Sequence, residues 1–287
     1  MTPERVQVLG SELAYVESGT GPRTIVLLHG NPTSSYLWRR VQPQLAPLGR
    51  CLALDLVGMG ASGKPDLAYT FADHAAHLSA FLDALVPDGE LVLVGHDWGA
   101  VLALDHAAGH PDRVSGLVLC EGHLVPIESW DDTDDGFRDL FGRLRTPGLG
   151  EQIVMRDNFF LEQVLPGGMT HRLSDEERAA YLAPYPREED RFPLWQWVQQ
   201  IPIGGEPADV DAVVRANQAF LASGRVPTLL LHGEPGAVVG EAQLDWVRRH
   251  APDVTVRSVG FGTHFLPEDQ PDAIAAEILA WLPPPAA

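Results

Sequence analysis

Short, nearly unbroken apolar runs alternate along the chain with stretches of helical spacing. The runs fall at 23–28, 51–55, 91–95, 114–119, 227–231 and 254–259. Apolar strands of this length, separated by helices, predict a parallel sheet covered on both faces. Between two of them Phe71, Ala75, Leu78, Leu82 and Leu85 recur at spacings of three and four, the stripe of one amphipathic helix. Residues 6–9 and 13–16 flank Gly10-Ser11 and predict a hairpin whose strands extend the sheet at one edge in the antiparallel sense. The expectation is a mostly parallel, eight-stranded α/β architecture flanked by helices.

The alternation stops after Glu121 and resumes near Val226. The stretch between is rich in Trp, Phe, Pro and acidic residues and shows helical patterns without a buried strand. One of these, 174–181, opens with Ser174 and Glu177, the spacing of a capping box. Residues 123–225 are therefore expected to form a helical cap inserted into a core made of 1–122 and 226–282. The Pro-rich end, 283–287, is expected to be a disordered tail. There is no internal repeat.

Composition narrows the picture further. With 287 residues, 45% hydrophobic and 21% charged, the chain is long enough for a large core and unlike a disordered one. Its formal net charge of -19 repels phosphate backbones and anionic lipid heads, and no basic run offsets it. Neither a nucleic-acid nor a membrane partner is expected. The first residues lack a signal-peptide pattern and no segment has the apolar length of a membrane span, so a cytoplasmic location is expected. Cys51 and Cys120 lie inside apolar runs and are predicted to be buried free thiols.

Two glycine-rich segments look alike and differ in chemistry. Gly58-Met-Gly60-Ala-Ser-Gly63 matches the dinucleotide pattern, but Lys64-Pro65-Asp66 follows where a helix would have to open, which argues against NAD binding. Gly95-His-Asp97-Trp-Gly99 lies between an apolar strand and a small-residue helix. Glycines two before and two after the central residue permit the tight strand-to-helix turn of a nucleophile elbow, here with Asp97 in the place usually held by Ser.

An aspartate at that point changes the reaction. A carboxylate is ionised at pH 7 and attacks without a base. Attack on an acyl group gives an energetic anhydride, whereas attack on an sp³ carbon bearing a leaving group gives an ordinary ester. Hydrolysis of that ester needs an activated water, and His264, just past the last strand, is the expected base. His74 and His77 read instead as a solvated helix face rather than a metal site. The carboxylate that orients the imidazole is offered by Glu121, after the strand at 114–119, or by Glu234, after the strand at 227–231. Glu121 is favoured, because Gly236 stands where an Asp is often found.

Taken together, 29–39, 55–65, 95–99, 157–166 and 264–269 resemble a haloalkane dehalogenase, over nearly the whole chain. The likeness is greatest to the subfamily whose acid is a glutamate after the sixth strand. It implies an α/β-hydrolase fold with a helical cap that converts small halogenated alkanes and water to alcohol, halide ion and a proton, with no metal or cofactor. A monomer or small homo-oligomer is expected. The resemblance supports Glu121 as the acid, and Asn31 and Trp98 as donors to the halide and the oxyanion. Halide needs donors without nearby acceptors, which an indole N–H and a side-chain amide supply. Phe141, Phe160, Val164, Leu165, Val238, Phe265 and Leu266 are the expected pocket walls. Pro267, often Gln in the family, and the acidic stretch 131–135 depart from its pattern.

Three rival readings share much of this pattern. An epoxide hydrolase uses the same nucleophile with two cap tyrosines, for which Tyr181 and Tyr185 are available. A coelenterazine luciferase-like oxygenase shares the triad. The fold also serves as a non-catalytic small-molecule receptor.

Overall fold

The computed structural model describes residues 3–283. Eight strands form one sheet: β1 (Glu4–Val8), β2 (Ser11–Ser18), β3 (Arg23–Leu28), β4 (Arg50–Leu54), β5 (Glu90–His96), β6 (Val114–Cys120), β7 (Thr228–Pro235) and β8 (Thr255–Gly262). Their order is β1-β2-β4-β3-β5-β6-β7-β8. The β1–β2 and β2–β4 pairs are antiparallel and all others parallel, so the hairpin does extend one edge. β3 is buried at every position and β5 at all but its first, as helices on both faces require.

The stripe read at 71–85 is the helix Phe71–Leu85, capped by Thr70 and Asp73 in a reciprocal box. His74 and His77 are buried on it rather than solvated, which corrects their assignment to an exposed face. The reason is tertiary: the helix Phe192–Gln199 packs over this face, and Trp197 stacks on the His74 ring at 4.1 Å. Cys51 and Cys120 are buried and free.

Between β6 and β7 the chain is mainly helical, with helices at Asp135–Leu144, Asp175–Leu182, Phe192–Gln199 and Ala208–Ala222. Its β pairing is limited to single bridges involving Ile127, Ile203 and Glu206. Ser174 and Glu177 form the capping box foreseen for Asp175–Leu182. Two short π-helical segments, Gln152–Arg156 and Phe160–Val164, interrupt the regular pattern, and such segments concentrate at functional sites. At the far end, Arg23 donates to the Pro283 carbonyl at 2.7 Å, while the rest of the expected tail lies outside the described residues. Among the described residues no helix is long and apolar enough to cross a membrane.

Candidate active site

Five strand ends bring the site together, since β3, β5, β6, β7 and β8 run parallel and present their carboxyl ends on one side. Asp97 follows β5 with φ 54° and ψ −125°, the strained conformation that an elbow demands. The flanking glycines are required by contact. A Cβ at Gly95 would lie 2.4 Å from the Gly99 carbonyl, and one at Gly99 would lie 2.2 Å from that of Leu28. Glu121, after β6, also has a positive φ, 52°. Its neighbour Gly122 packs so close to the elbow helix that a Cβ there would meet Ala100 Cβ at 2.6 Å.

Asp97, His264 and Glu121 lie in line. The His264 Nε2 is 4.0 Å from Asp97 Oδ1, and its Nδ1 is 3.6 Å from Glu121 Oε2. Both distances are ion-pair distances, longer than a hydrogen bond. Glu121 is fully buried, and its Oε2 accepts the backbone N–H groups of Val238 at 2.7 Å and Ala237 at 3.0 Å. Glu234 is exposed at the end of β7 and accepts the Ser258 hydroxyl at 2.6 Å. Of the two candidate acids, only Glu121 reaches the imidazole.

The electrostatics separate the groups. Burial raises the Asp97 carboxyl above its ordinary value, against the pull of His264 and of the Asn31 and Trp98 amides. Burial disfavours the His264 imidazolium, but Glu121 and Asp97 outweigh it and hold the ring above its usual range. His96, whose own charge is suppressed by burial, donates from Nε2 to the His264 carbonyl at 2.7 Å. The loop carrying His264 is also tied to the chain after Phe160–Val164. Gly168 O accepts from Thr263 Oγ1 and Phe265 N, and Asp269 accepts from Thr170.

Asn31 and Trp98 face the same space as Asp97. The Asn31 backbone N–H donates to Asp97 Oδ2 at 2.8 Å. One side-chain N–H of Asn31 goes to the Leu194 carbonyl at 3.1 Å, leaving its second for a ligand. Trp98 stacks on Trp197 with ring centroids 4.5 Å apart. The Trp197 N–H is engaged by Met59 Sδ at 3.3 Å, so Trp98 is the indole available beside the nucleophile.

Asp97, His264, Asn31, Trp98 and Trp197 line a cavity of about 240 Å³. Of the expected walls, Phe141, Phe160, Val164, Val238 and Phe265 line it; Leu165 and Leu266 do not. Both leucines are buried in the core instead, and Leu266 fills the space over Gly233 and Gly262. Residues not anticipated also line it, among them His123, Phe137, Trp197 and Ile201. The spacing of Leu194, Trp197, Val198 and Ile201 at three and four was a readable signal for the cap face. Neither Tyr181 nor Tyr185 borders the cavity. Tyr181 donates to the buried Glu268, and Tyr185 lies beneath Lys64. Among the described residues no group of three or more His, Cys, Asp or Glu is placed to hold a metal ion.

A parallel sheet with a strained nucleophile turn and a histidine after the last strand defines an α/β hydrolase, and the family model for the alpha/beta hydrolase fold matches residues 23–271. Within that class the relatives agree. A haloalkane dehalogenase of Mesorhizobium japonicum is 43% identical over 98% of this chain and 92% of its own length. One of Sphingobium indicum is 43% identical over 96% and 94%. The crystal structure of a putative ancestral haloalkane dehalogenase, AncHLD2, superposes with a TM-score of 0.93 at 43% identity, covering 97% of each chain. That of DbeA from Bradyrhizobium elkani gives 0.92 at 42%, covering 98% and 97%. The chain belongs to the haloalkane dehalogenase family.

Proposed function

We propose that this protein hydrolyses small haloalkanes to alcohol, halide ion and a proton through an alkyl ester on Asp97. The observation that carries the reading is the shared apolar cavity, where Asp97 is flanked by the indole of Trp98 and the amide of Asn31, and whose walls, among the described residues, include no tyrosine or arginine. An epoxide hydrolase would need acidic hydroxyls there to protonate the ring oxygen. Indole and amide N–H groups suit a halide, which leaves with its bonding electrons and takes no proton.

Asp97 Oδ1 attacks the carbon while Oδ2 stays on the Asn31 amide. The carbon–halogen bond breaks and the halide receives the Trp98 and Asn31 side-chain N–H groups. His264 Nε2 then takes a proton from a water attacking Asp97 Cγ, and the charge on Oδ2 is held by the Asn31 and Trp98 backbone N–H groups. Collapse releases the alcohol and restores the carboxylate. Alkylation removes the Asp97 charge, one of the two that hold His264 above its usual pKa, so the ring's pKa falls at the step that needs a base. Glu121 fixes the imidazole and stabilises its charged form.

In this reading 1–122 with 226–282 supply the chemistry, and 123–225 form a cap that closes over it. The test is bromide release with an accompanying fall in pH on 1-bromobutane or 1,2-dibromoethane. Turnover of styrene oxide without bromide release from either alkane would move the protein to the epoxide hydrolases, and light on adding coelenterazine to the luciferase reading.

A further inference from the structure

His123 stands out among the walls of the cavity, which are otherwise mostly apolar beyond Asp97, His264, Asn31 and Trp98. Three buried histidines have internal partners, His29 at Gly30 and Leu56, His77 at Asp73 and His96 at His264, whereas His74, with neither ring nitrogen partnered, is packed against Trp197 away from the cavity. His123 instead borders the site, two residues beyond Glu121 on the same strand-end loop. It also borders an adjoining cavity of about 310 Å³. The two cavities share His123, Phe137, Ala237 and Val238, so this ring lies on the wall between them. Asp132, Thr133 and Asp134 are also among the walls of the second.

We propose that His123 is a specificity-determining residue that hydrogen-bonds a neutral hydroxyl at the far end of the substrate, making ω-haloalcohols a preferred class. Resting on the dehalogenase reading, this deepens it. The halogen end is fixed at Asp97, Trp98 and Asn31, and His123 borders the same cavity, so a substrate that fills it meets this ring. Burial and the nearby His264 press the His123 pKa down to about 4, which keeps it neutral in working conditions. A neutral imidazole donates from one nitrogen and accepts at the other, and a hydroxyl matches both. A carboxylate head would meet a ring that carries no charge and then Asp132 and Asp134, so haloacids are disfavoured. A polar group facing the cavity and left unpaired by an alkyl chain discriminates against it.

The test compares kcat/KM for 6-bromohexan-1-ol, 1-bromohexane and 6-bromohexanoate in the wild type, His123→Leu and His123→Gln. The alcohol-to-alkane ratio should fall in His123→Leu on the order of tenfold, the worth of one hydrogen bond. His123→Gln, which keeps a donor and an acceptor, should retain most of the ratio. The carboxylate should be the poorest substrate of the wild type. If His123→Leu does not fold, His123→Ala is read in the same way. Bromide release from 1-bromohexane with an unchanged alcohol-to-alkane ratio in the variants overturns this inference and leaves the dehalogenase reading standing. Release from none of the three by the wild type overturns both.

Discussion

Gly236 lies against Glu121 so closely that a Cβ on the glycine would come within 3.1 Å of Glu121 Oε1. The loop after β7 thereby makes room for an acid coming from β6, and its next two amides bind that acid's other oxygen. Glu121→Gln should lower turnover on the order of 10²-fold or more, because an amide neither fixes the imidazole tautomer nor stabilises its charged form. Glu234→Gln, at the exposed end of β7, should leave activity near wild type. Steady-state bromide release ranks the two, and the reverse order would return the acid to β7.

The strain at Asp97 has an electrostatic companion that a melting curve reads. A carboxyl whose folded pKa is raised lets the unfolded state release its proton first, so stability falls as pH climbs from the unfolded value through the folded one. Above that window the penalty is fully present. Asp97→Asn should therefore raise the midpoint temperature at pH 7, with the gain shrinking as pH drops into the ordinary carboxylate range. A lower midpoint at pH 7 would contradict the assignment of burial as the dominant influence on Asp97.

For His264 the sign runs the other way. Its folded pKa is raised, so it contributes stability present below the ordinary histidine value and lost as pH rises through the folded one. Asp97→Asn removes one of the charges responsible, as alkylation does. Histidine NMR titration should find the His264 pKa lower in that variant than in wild type, and an unchanged value would remove the coupling between ester formation and base activation.

His264 is needed only after the first bond has formed. His264→Phe should accumulate the alkyl ester on Asp97, seen as an intact-mass increase equal to the alkyl group. Steady turnover should drop by about 10²- to 10⁴-fold, as expected for loss of a general base. Unmodified protein after long incubation with 1-bromobutane would place His264 in the first step.

Halide binding isolates the other half of the site. Bromide or iodide should quench tryptophan fluorescence saturably, and Trp98→Phe should lose that phase along with most turnover while keeping its stack on Trp197. Asn31→Ala should weaken halide binding by about 1 to 3 kcal/mol, one hydrogen bond to a charge. Saturable quenching that persists in Trp98→Phe would move the halide elsewhere.

What was legible in the sequence follows the local contacts. The elbow could be read because Gly95 and Gly99 are dictated by close backbone approach, and the strands because the central sheet is buried on both faces. Glu121 could be read as a strand-end acid. The walls were harder, since position next to a cavity residue says little about direction: Val164 faces the cavity while Leu165 is core, and Phe265 faces it while Leu266 packs over Gly233. His74 looked solvated because the helix that buries it lies more than a hundred residues along the chain. His123 sits in a loop, where no periodicity marks which way a side chain points.

The central claim is that Asp97 itself attacks carbon and that water then attacks Asp97. A single turnover of 1-bromobutane by excess enzyme in ¹⁸O-water distinguishes this from direct displacement by water. The account predicts butanol carrying ordinary oxygen, drawn from the Asp97 carboxylate, with the heavy isotope found in the peptide containing Asp97. Labelled butanol from that first turnover, with an unlabelled Asp97 peptide, would contradict it.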